Sequence, residues 1–303
     1  MQTLPKTSDS IDIVAQGYGG QTMVAPLKRV IVRRPAVVAS GEEWRALGYL
    51  HPVDQVKSDE QHAAFRSILA SQDIEVIEAG PDIPGELDAV FAFDPSIMTN
   101  AGAVLMRPGK VLRRREVMFA EDSYRRLGIP ILGQIEEPGM VEGGDTMWLD
   151  DQTLAVGRGY RTNADGIRQL RDILGAIGIE VLAFDLPNFH GPSECLHLLS
   201  LISPVDNGLA VVYPPLMAVS FIEALRERGW HLIEIDENEF DSQASNVLAL
   251  APGRLLMLDG NPNTRRRLEF AGCDVLVYDG SEISINRFGG PTCLTRPILR
   301  ATD

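Results

Sequence analysis

A cysteine in the segment GGPTC is the first residue whose type and setting suggest chemistry. Cys293 follows two glycines and a proline, and a thiol in such a segment is not expected to be deeply buried. A thiol with an ordinary pKa of about 8.5 is only about 3% ionised near neutral pH, so nucleophilic attack requires a neighbouring cation or base. Cys273, in AGCDVLVYDG, is instead expected to pack in a connection between a helix and a strand.

His197 lies in the apolar run SECLHLLSLIS, which predicts a buried or half-buried imidazole. Such a histidine is either a hydrogen-bonded core residue or an acid–base catalyst, and the run leaves both open. Cys195 shares a face with His197 if the run is a strand and lies on another side if it is a helix.

Two acids lie in the segment DAVFAFDPS. Its composition predicts a strand that buries Val90 and Ala92 on one face and ends at Pro95, with Asp94 at the exit. Asp88 lies at the start of the same segment. Asp followed by Pro is also a common turn opener, so a purely structural role for Asp94 remains open.

The segment VEGGDTMWL places Glu142 and Asp145 beside Gly143 and Gly144, which permit a tight backbone. A carboxylate held at such a turn is well placed to face a pocket. The alternative is a hairpin or bulge with exposed acids.

The segment RTNADG precedes a predicted helix. Asn163 or Thr162 can cap that helix, which is a sufficient local reason for both residues. Arg161 has no such local role, and a guanidinium in this position suggests binding of an anionic group.

Composition restricts the function further. The 303 residues carry a formal net charge of −14, and no basic stripe appears beyond short arginine clusters such as 113–115, so nucleic-acid binding is not expected. An acidic protein favours small cationic ligands. No apolar run approaches the roughly 20 residues of a membrane span, and the N-terminus does not resemble a secretory signal. Three widely spaced cysteines suggest reduced thiols and a cytoplasmic location.

No nucleotide-binding, nucleophile-elbow or H-E-x-x-H motif occurs, and the five histidines are scattered, so neither a nucleotide site nor a dedicated metal site is predicted.

One phrase recurs five times along the chain: an amphipathic helix, a short polar break and a β-branched run. Further strands precede most of these helices. This rhythm predicts an α/β fold in one domain, with five units that could close into a ring. A two-domain doubly wound protein is the alternative. The five phrases are AAFRSILASQDIEVIEAG, SYRRLGIPILGQIEE, GIRQLRDILGAIGIEVLAFD, FIEALRERGWHLIEID and TRRRLEFAGCDVLVYDG.

The order of these motifs resembles the guanidine-modifying penteins, the superfamily of arginine deiminases, amidinotransferases and dimethylarginine dimethylaminohydrolases. The resemblance spans nearly the whole chain. It implies an α/β-propeller of five pseudo-symmetric ββαβ units around a central active site, as a single domain over 1–303 with a flexible segment over 1–25. The matching motifs are KRVIVRRP, EQH, DAVFAFDP, AVLMRPGKVLRRRE, EGGD, RTNADG, LHL, ASNVLAL and SEISINRFGGPTC.

The resemblance also implies roles for residues. Cys293 matches the nucleophile that attacks the guanidinium carbon, His197 the general acid and base, and Glu142 a carboxylate beside the guanidinium. Asp94 matches the acid that grips the guanidinium nitrogens, and Asp88 an acid near the amino end of the substrate.

Two arginines match those that hold the substrate carboxylate: Arg113 and Arg161. The first could be displaced by one position, because 113–115 are all arginine. Family chemistry requires no metal or organic cofactor.

Two residues depart from family patterns. Leu199 stands where deiminases and amidinotransferases carry an acid, which favours the dimethylarginine hydrolases. Phe93 stands where related hydrolases can carry an acid that helps hold the α-amino group. An arginine derivative, or a guanidine without a free amino acid end, fits that change.

The implied function is a cysteine hydrolase of a small cationic guanidino compound, foremost a methylated arginine that yields citrulline and an amine through a covalent S-alkylthiouronium. The alternatives are an arginine deiminase or dihydrolase or a hydrolase of another guanidine, then an amidinotransferase, then a non-catalytic binding module. A homodimer remains open. Residues 39–52, with Trp44 and Leu47, could form a lid, cover a core edge or make an oligomer contact.

Overall fold

The computed structural model describes residues 13–80, 83–192 and 196–301. Its strands are β1 Leu27–Arg33, β2 Glu75–Ala79, β3 Ser96–Thr99, β4 Gly102–Leu105, β5 Ile131–Gln134, β6 Thr146–Trp148, β7 Thr153–Arg158, β8 Glu180–Asp185, β9 Ile202–Asp206, β10 Leu209–Val212, β11 His231–Glu234, β12 Val247–Ala251, β13 Arg254–Leu258, β14 Asp274–Tyr278 and β15 Arg296–Arg300. Its helices are α1 Ile13–Gln16, α2 Glu43–Leu47, α3 Gln55–Ala70, α4 Glu116–Arg126, α5 Ala164–Gly175, α6 Val219–Glu227 and α7 Pro262–Phe270.

The strands of the described residues form five sheets of three strands each. In every sheet the first strand pairs antiparallel with the second, and the second pairs parallel with the third. A helix connects the two parallel strands, as parallel pairing requires. The predicted arrangement of five ββαβ units is confirmed. The sheets are β3-β4-β5, β6-β7-β8, β9-β10-β11, β12-β13-β14 and β15-β1-β2.

Helix α5 illustrates how a unit is built from its sequence. Asn163 caps it, because its side-chain oxygen accepts a hydrogen bond from the backbone N–H of Gly166 at 2.8 Å, as predicted. Ile167, Leu170 and Leu174 recur at helical spacing and are buried. They pack on β7 and β8, whose buried apolar residues belong to the same core cluster. The helix therefore covers its own sheet.

The fifth unit joins the two ends of the chain. Strand β15 pairs antiparallel with β1, so the ring closes through the last strand. Arg300, which is 3% exposed, also stabilises this closure. Its guanidinium donates hydrogen bonds to the carbonyls of Ala25 at 2.7 Å and Ala249 at 2.9 Å. Ahead of β1, Gly19 forms a bridge with Leu299.

The segment 88–94 is not a strand, and that prediction was wrong. Leu87–Val90 form a 3-10 turn and the chain turns again before β3 begins at Ser96. The backbone carbonyls of this segment are used by a side chain instead of a neighbouring strand, since the guanidinium of Arg113 donates to the carbonyl of Phe91 at 3.0 Å.

The segment 39–52 contains the short helix α2. Leu47 is buried with Ala36 and Leu87 in a small apolar cluster, against which Trp44 packs. The segment thus covers a core edge, one of the three predicted roles. In the part of the chain that the structure describes, no helix is both long and apolar enough to cross a membrane.

Candidate active site

The turn that leads into the first strand of each unit carries one polar residue of the site. Asp94 precedes β3, Glu142 precedes β6, His197 precedes β9, Asn246 precedes β12 and Cys293 precedes β15. Four of these side chains line one cavity; Glu142 is fully buried and lies behind it, against His197. The pseudo-symmetry of the ring therefore brings together residues that are up to 199 positions apart in the sequence.

Cys293 is half-buried at the cavity wall. The side-chain amide nitrogen of Asn246 donates to its sulfur at 3.2 Å. The oxygen of the same amide accepts from the backbone N–H of Thr292 at 3.1 Å, which fixes the orientation of the amide and directs its N–H₂ at the sulfur. A donor held in this way stabilises a thiolate over a thiol.

The glycine pair before Cys293 has a steric reason. A Cβ on Gly289 would lie 2.7 Å from the ring Cζ of Phe91, and a Cβ on Gly290 would lie 2.6 Å from the Cβ of Asn246. Both separations are shorter than van der Waals contact, so the motif lets the nucleophile turn approach the rest of the site.

His197 and Glu142 form a buried pair, with the imidazole Nε2 at 2.7 Å from the carboxylate Oε2. Burial opposes ionisation of Glu142, but the hydrogen bond to His197 and the charge of Arg161 outweigh it and hold the pKa of the carboxyl well below its ordinary value. His197 is fixed at its backbone as well, because its N–H donates to the hydroxyl of Ser200 at 3.1 Å. An imidazole oriented by a buried carboxylate is suited to acid–base chemistry.

Gly144, in the glycine pair of VEGGDTMWL, also has a steric reason to lack a side chain. A Cβ on Gly144 would lie 2.8 Å from the imidazole Cγ of His197, so the ring packs on bare backbone. The N–H of Gly144 donates to Oδ1 of Asp94 at 2.8 Å. Glu142 and Asp145 of this segment are buried, so the alternative of a turn with exposed acids is wrong.

Asp145 holds the turn that carries His197. Its Oδ1 accepts a hydrogen bond from the backbone N–H of Leu198 at 3.0 Å. Burial raises the pKa of the Asp145 carboxyl to about 6.

The two arginines predicted to bind a substrate carboxylate contact acids of the site. Arg113 pairs with Asp94 through Nη1 and with Glu116 through Nη2 at 2.7 Å. Arg161 donates to Glu142 at 3.1 Å. The cavity encloses about 40 Å³, the space of a few water molecules. Both acids that a guanidinium ligand would contact are therefore already paired with arginines.

The structure also distinguishes the three consecutive arginines. Arg113 is 4% exposed and lines the cavity, whereas Arg115 pairs with Glu86 at the surface.

Asp88 lines the cavity but already has two cationic neighbours. Its Oδ2 accepts from Lys110 Nζ at 2.6 Å, and its Oδ1 lies 3.3 Å from Arg287 Nε. Lys110 also donates to the carbonyl of Leu47 at 2.7 Å, which ties helix α2 to the site. Burial lowers the pKa of Lys110 to about 8, with the charge of Asp88 acting in the opposite direction.

Three of the residues that make these contacts were not predicted from the sequence to have a role in the site. Asn246 was noted only as part of the motif ASNVLAL, and no role was predicted for Lys110 or Arg287. A polar residue directly before a unit's first strand is the signal that could have found Asn246. Cys195 lies outside the described residues, and Cys273 is buried in a core cluster, as predicted.

One group of acids and a histidine has spacing that a metal ion could use. Side-chain atoms of Asp94, Glu142 and His197 all lie within 4.8 Å of one another. Arg113 and Arg161 already place positive charge against these two carboxylates. The donor set thus suits a carboxylate–imidazole pair better than a cation site.

Both residues that depart from family patterns line the cavity. Phe93 stacks its ring on the guanidinium of Arg296, with 3.7 Å from the guanidinium carbon to the ring centre. Its backbone N–H donates to the carbonyl of Cys293 at 3.2 Å. Leu199 is 4% exposed. The cavity therefore has an apolar wall near the nucleophile.

Comparison with known proteins gives this site a family. The model of the family described as arginine deiminase matches residues 87–229 and 217–300, more than half of the chain. The chain belongs to this family. Its membership confirms the predicted guanidine-modifying pentein superfamily.

Among the family's relatives, the N(G),N(G)-dimethylarginine dimethylaminohydrolase of Streptomyces coelicolor is 31% identical over 282 residues, which cover 89% of this chain and 96% of that protein. A solved structure of the enzyme from Pseudomonas aeruginosa, a cysteine-to-serine variant complexed with citrulline, has a TM-score of 0.72 and 28% identity and covers 89% of this chain and 98% of that one. The amidinotransferase SxtG from Microseira wollei, at 14% identity and a TM-score of 0.79, shares the fold.

Proposed function

We propose that this protein hydrolyses an Nω-methylated arginine to citrulline and a methylated amine, with Cys293 as nucleophile. The observation that carries the proposal is the convergence of a half-buried thiol, a carboxylate-oriented imidazole and Asp94 around one cavity. Relatives named dimethylarginine dimethylaminohydrolase match nearly the full length of the chain. The protein is a hydrolase of guanidino C–N bonds.

Binding begins with an exchange of partners. The substrate guanidinium takes the place of Arg113 on Asp94 and of Arg161 near Glu142, because a planar guanidinium pairs with carboxylates in the same way. The released arginines are then available for the substrate carboxylate. Asp94 orients the guanidinium carbon towards Cys293. Its negative charge offsets the hydration that the guanidinium loses when it leaves water.

The chemical step forms a covalent intermediate. The thiolate of Cys293, stabilised by the Asn246 amide, adds to the guanidinium carbon. His197 donates a proton to the departing amine nitrogen as the C–N bond breaks, leaving an S-alkylthiouronium on the enzyme. Glu142 stabilises the imidazolium that delivers this proton.

Water completes the reaction. His197 accepts a proton from a water molecule, whose oxygen adds to the thiouronium carbon. The C–S bond then breaks, the thiolate leaves, the hydroxyl proton passes to the released amine or to solvent, and the carbon keeps the oxygen as the carbonyl of a urea. One substrate and one water thus give citrulline and an amine, without oxidation or reduction.

The cavity wall favours a methylated leaving nitrogen. Leu199 and Phe93 provide apolar surface in the cavity that holds His197 and Cys293, where N-methyl groups lose contact with water. An arginine deiminase releases ammonia, which gains nothing from such a wall. The apolar Leu199 likewise disfavours an amidinotransferase.

A panel of guanidines tests the function. The purified protein is incubated with asymmetric dimethylarginine, monomethylarginine, arginine and simple guanidines, and mass spectrometry follows ureido products and amines. Citrulline and dimethylamine from the wild type, absent with Cys293→Ser, are expected. Ammonia from arginine at a higher kcat/KM would point to a deiminase, and transfer of the amidino group to an added amine would point to a transferase. No turnover and no adduct on Cys293 would refute the proposal.

We further propose one catalytic domain over 1–303, because the sheet β15-β1-β2 joins the ends of the ring. The segment 1–25 was predicted to be flexible; residues 1–12 lie outside the described residues, and Gly19 pairs with Leu299. A cytoplasmic location is proposed from the scattered cysteines. Whether the protein forms a homodimer is tested by light scattering as it elutes from a size-exclusion column.

A further inference from the structure

A second cavity shares part of its lining with the catalytic cavity. It encloses about 420 Å³, and both cavities are lined by Ser200, Gln243, Arg287 and Phe288. We call this second cavity the vestibule. Its volume falls in the range of small-molecule sites, whereas the catalytic cavity alone is far smaller.

Aromatic and aliphatic side chains dominate one part of the vestibule: Leu50, Phe189, Leu196, Phe240 and Phe288. The ring of Phe240 is stacked on Tyr213 at 4.0 Å between centres and meets Phe189 edge to face at 6.1 Å. Rings held by their neighbours keep their positions before a ligand arrives, so these side chains form a preformed apolar surface on one side of the vestibule, whose other lining residues include His190 and Asp241.

The backbone around the vestibule is unusual. Four non-glycine residues in the described parts of the chain have a positive φ, and three of them line the vestibule: His190 at 50°, Gln243 at 65° and Phe288 at 58°. L-residues adopt this conformation at a cost in free energy, and such residues concentrate at functional sites. Phe288 also remains 39% exposed despite its ring.

The charges at the junction of the two cavities do not suit an ammonium group. A free arginine carries a positive α-nitrogen, and Asp88 is the acid that the family resemblance assigns to it. Both oxygens of Asp88 already have cationic neighbours, Lys110 at 2.6 Å and Arg287 at 3.3 Å. An ammonium group placed here would compete with both cations for the single carboxylate of Asp88.

Arg287 adds a donor at the same junction. Its guanidinium lines both cavities, and its buried Nε lies 3.3 Å from Oδ1 of Asp88. A guanidinium has five N–H donors, so an amide carbonyl in the cavity has a hydrogen-bond donor at this side chain.

We propose that the preferred substrate is an arginine derivative whose α-nitrogen is acylated, with the amide carbonyl at Arg287 and an apolar acyl group in the vestibule. Acylation removes the α-ammonium charge and adds the group that the vestibule fits. This inference rests on the proposed hydrolysis and concerns the opposite end of the substrate.

The test compares three substrates that differ only at the α-nitrogen: dimethylarginine and its Nα-acetyl and Nα-benzoyl derivatives. We expect kcat/KM to rise by about tenfold or more from the free to the benzoyl compound, with the acetyl compound between them. Acetylation removes only the ammonium charge, whereas benzoylation also adds an apolar contact with the vestibule. Dissociation constants measured with Cys293→Ser should follow the same order.

Variants assign the effect to the vestibule. Phe240→Ala should reduce the ratio of kcat/KM for the benzoyl and acetyl compounds by several-fold, about one buried ring contact. Phe270→Ala is the matched control, since Phe270 is 96% exposed and lies outside both cavities; it should leave the ratio unchanged.

Two results would overturn the inference. If free dimethylarginine is turned over with a kcat/KM equal to or above that of the acylated compounds, the hydrolase stands and the inference fails. If none of the three is turned over, the binding order on Cys293→Ser decides, and equal or inverted affinities refute the vestibule as an acyl site.

Discussion

The side-chain nitrogen of Asn246 lies 3.2 Å from the sulfur of Cys293, and the oxygen of the same amide is held by the backbone N–H of Thr292. The thiol and its donor come from turns of neighbouring units, and both turns end in a strand of the ring. Asn246 is itself 3% exposed. The donor cannot rotate away without leaving the Thr292 N–H unsatisfied, so it acts as a fixed part of the nucleophile's surroundings.

Replacing Asn246 should make Cys293 less acidic. We expect Asn246→Ala to move the alkylation of Cys293 to higher pH, because the thiolate loses a hydrogen bond from the amide. The measurement is the pH dependence of iodoacetamide alkylation at Cys293, followed by mass spectrometry. The exposed Asn207 provides the control Asn207→Ala. An identical pH midpoint in wild type and Asn246→Ala would show that the amide does not stabilise the thiolate.

Gly144 should tolerate no side chain. Gly144→Ala places a methyl group against His197 and is expected to reduce kcat by about a hundredfold or more, since a displaced acid–base group loses most of its effect. Gly175, at the end of α5, has nothing within 4 Å of its added Cβ. Gly175→Ala should retain full activity and gain up to about 1 kcal/mol of stability. Equal activity of the two variants would contradict the packing of His197 on Gly144.

Arg113 should be costly to remove even without substrate. Arg113→Ala leaves Asp94 and Glu116 buried without their cation, and we expect the free energy of unfolding to fall by about 3 to 5 kcal/mol. Arg115→Ala removes the exposed partner of Glu86 and should cost less than about 1 kcal/mol. Urea unfolding gives both values. Similar losses would indicate that the buried pairs contribute no more than the surface pair.

Asp145 should make stability depend on pH. Burial raises its pKa from 3.8 to about 6 in the folded protein, so the folded state binds this proton more tightly than the unfolded chain does. Its contribution to stability is present in acid and is lost as the pH rises through about 6. Asp145→Asn should therefore gain roughly 1 kcal/mol on wild type between about pH 5 and pH 8. Urea unfolding across this range checks it, and a difference independent of pH would contradict the raised pKa.

Most of the fold could be predicted from the sequence, because the periodicity of apolar residues in each unit indicates its helix and its third strand. Helix α5 and the β-branched run after it needed no tertiary information. The segment 88–94 was misread for a physical reason: its apolar residues are buried by the ring as a whole, so burial does not alternate as it does in a half-exposed strand.

The site was readable only in part. Motif order pointed to Cys293, His197 and Asp94, which line one cavity. The state of Asp88 could not be foreseen, because its partner Arg287 is 199 positions away and comes close only when the ring closes. The cavity contacts of Asn246 depend on the same closure.

The order of these parts along the chain sets when activity can arise. Synthesis delivers Asp94, Glu142 and His197 long before Cys293, and Cys293 is anchored by β15, the strand that pairs with β1. A nascent chain on the ribosome can therefore fold several units while lacking a held nucleophile. We therefore expect Cys293 to be held in the site only once the sheet β15-β1-β2 has assembled.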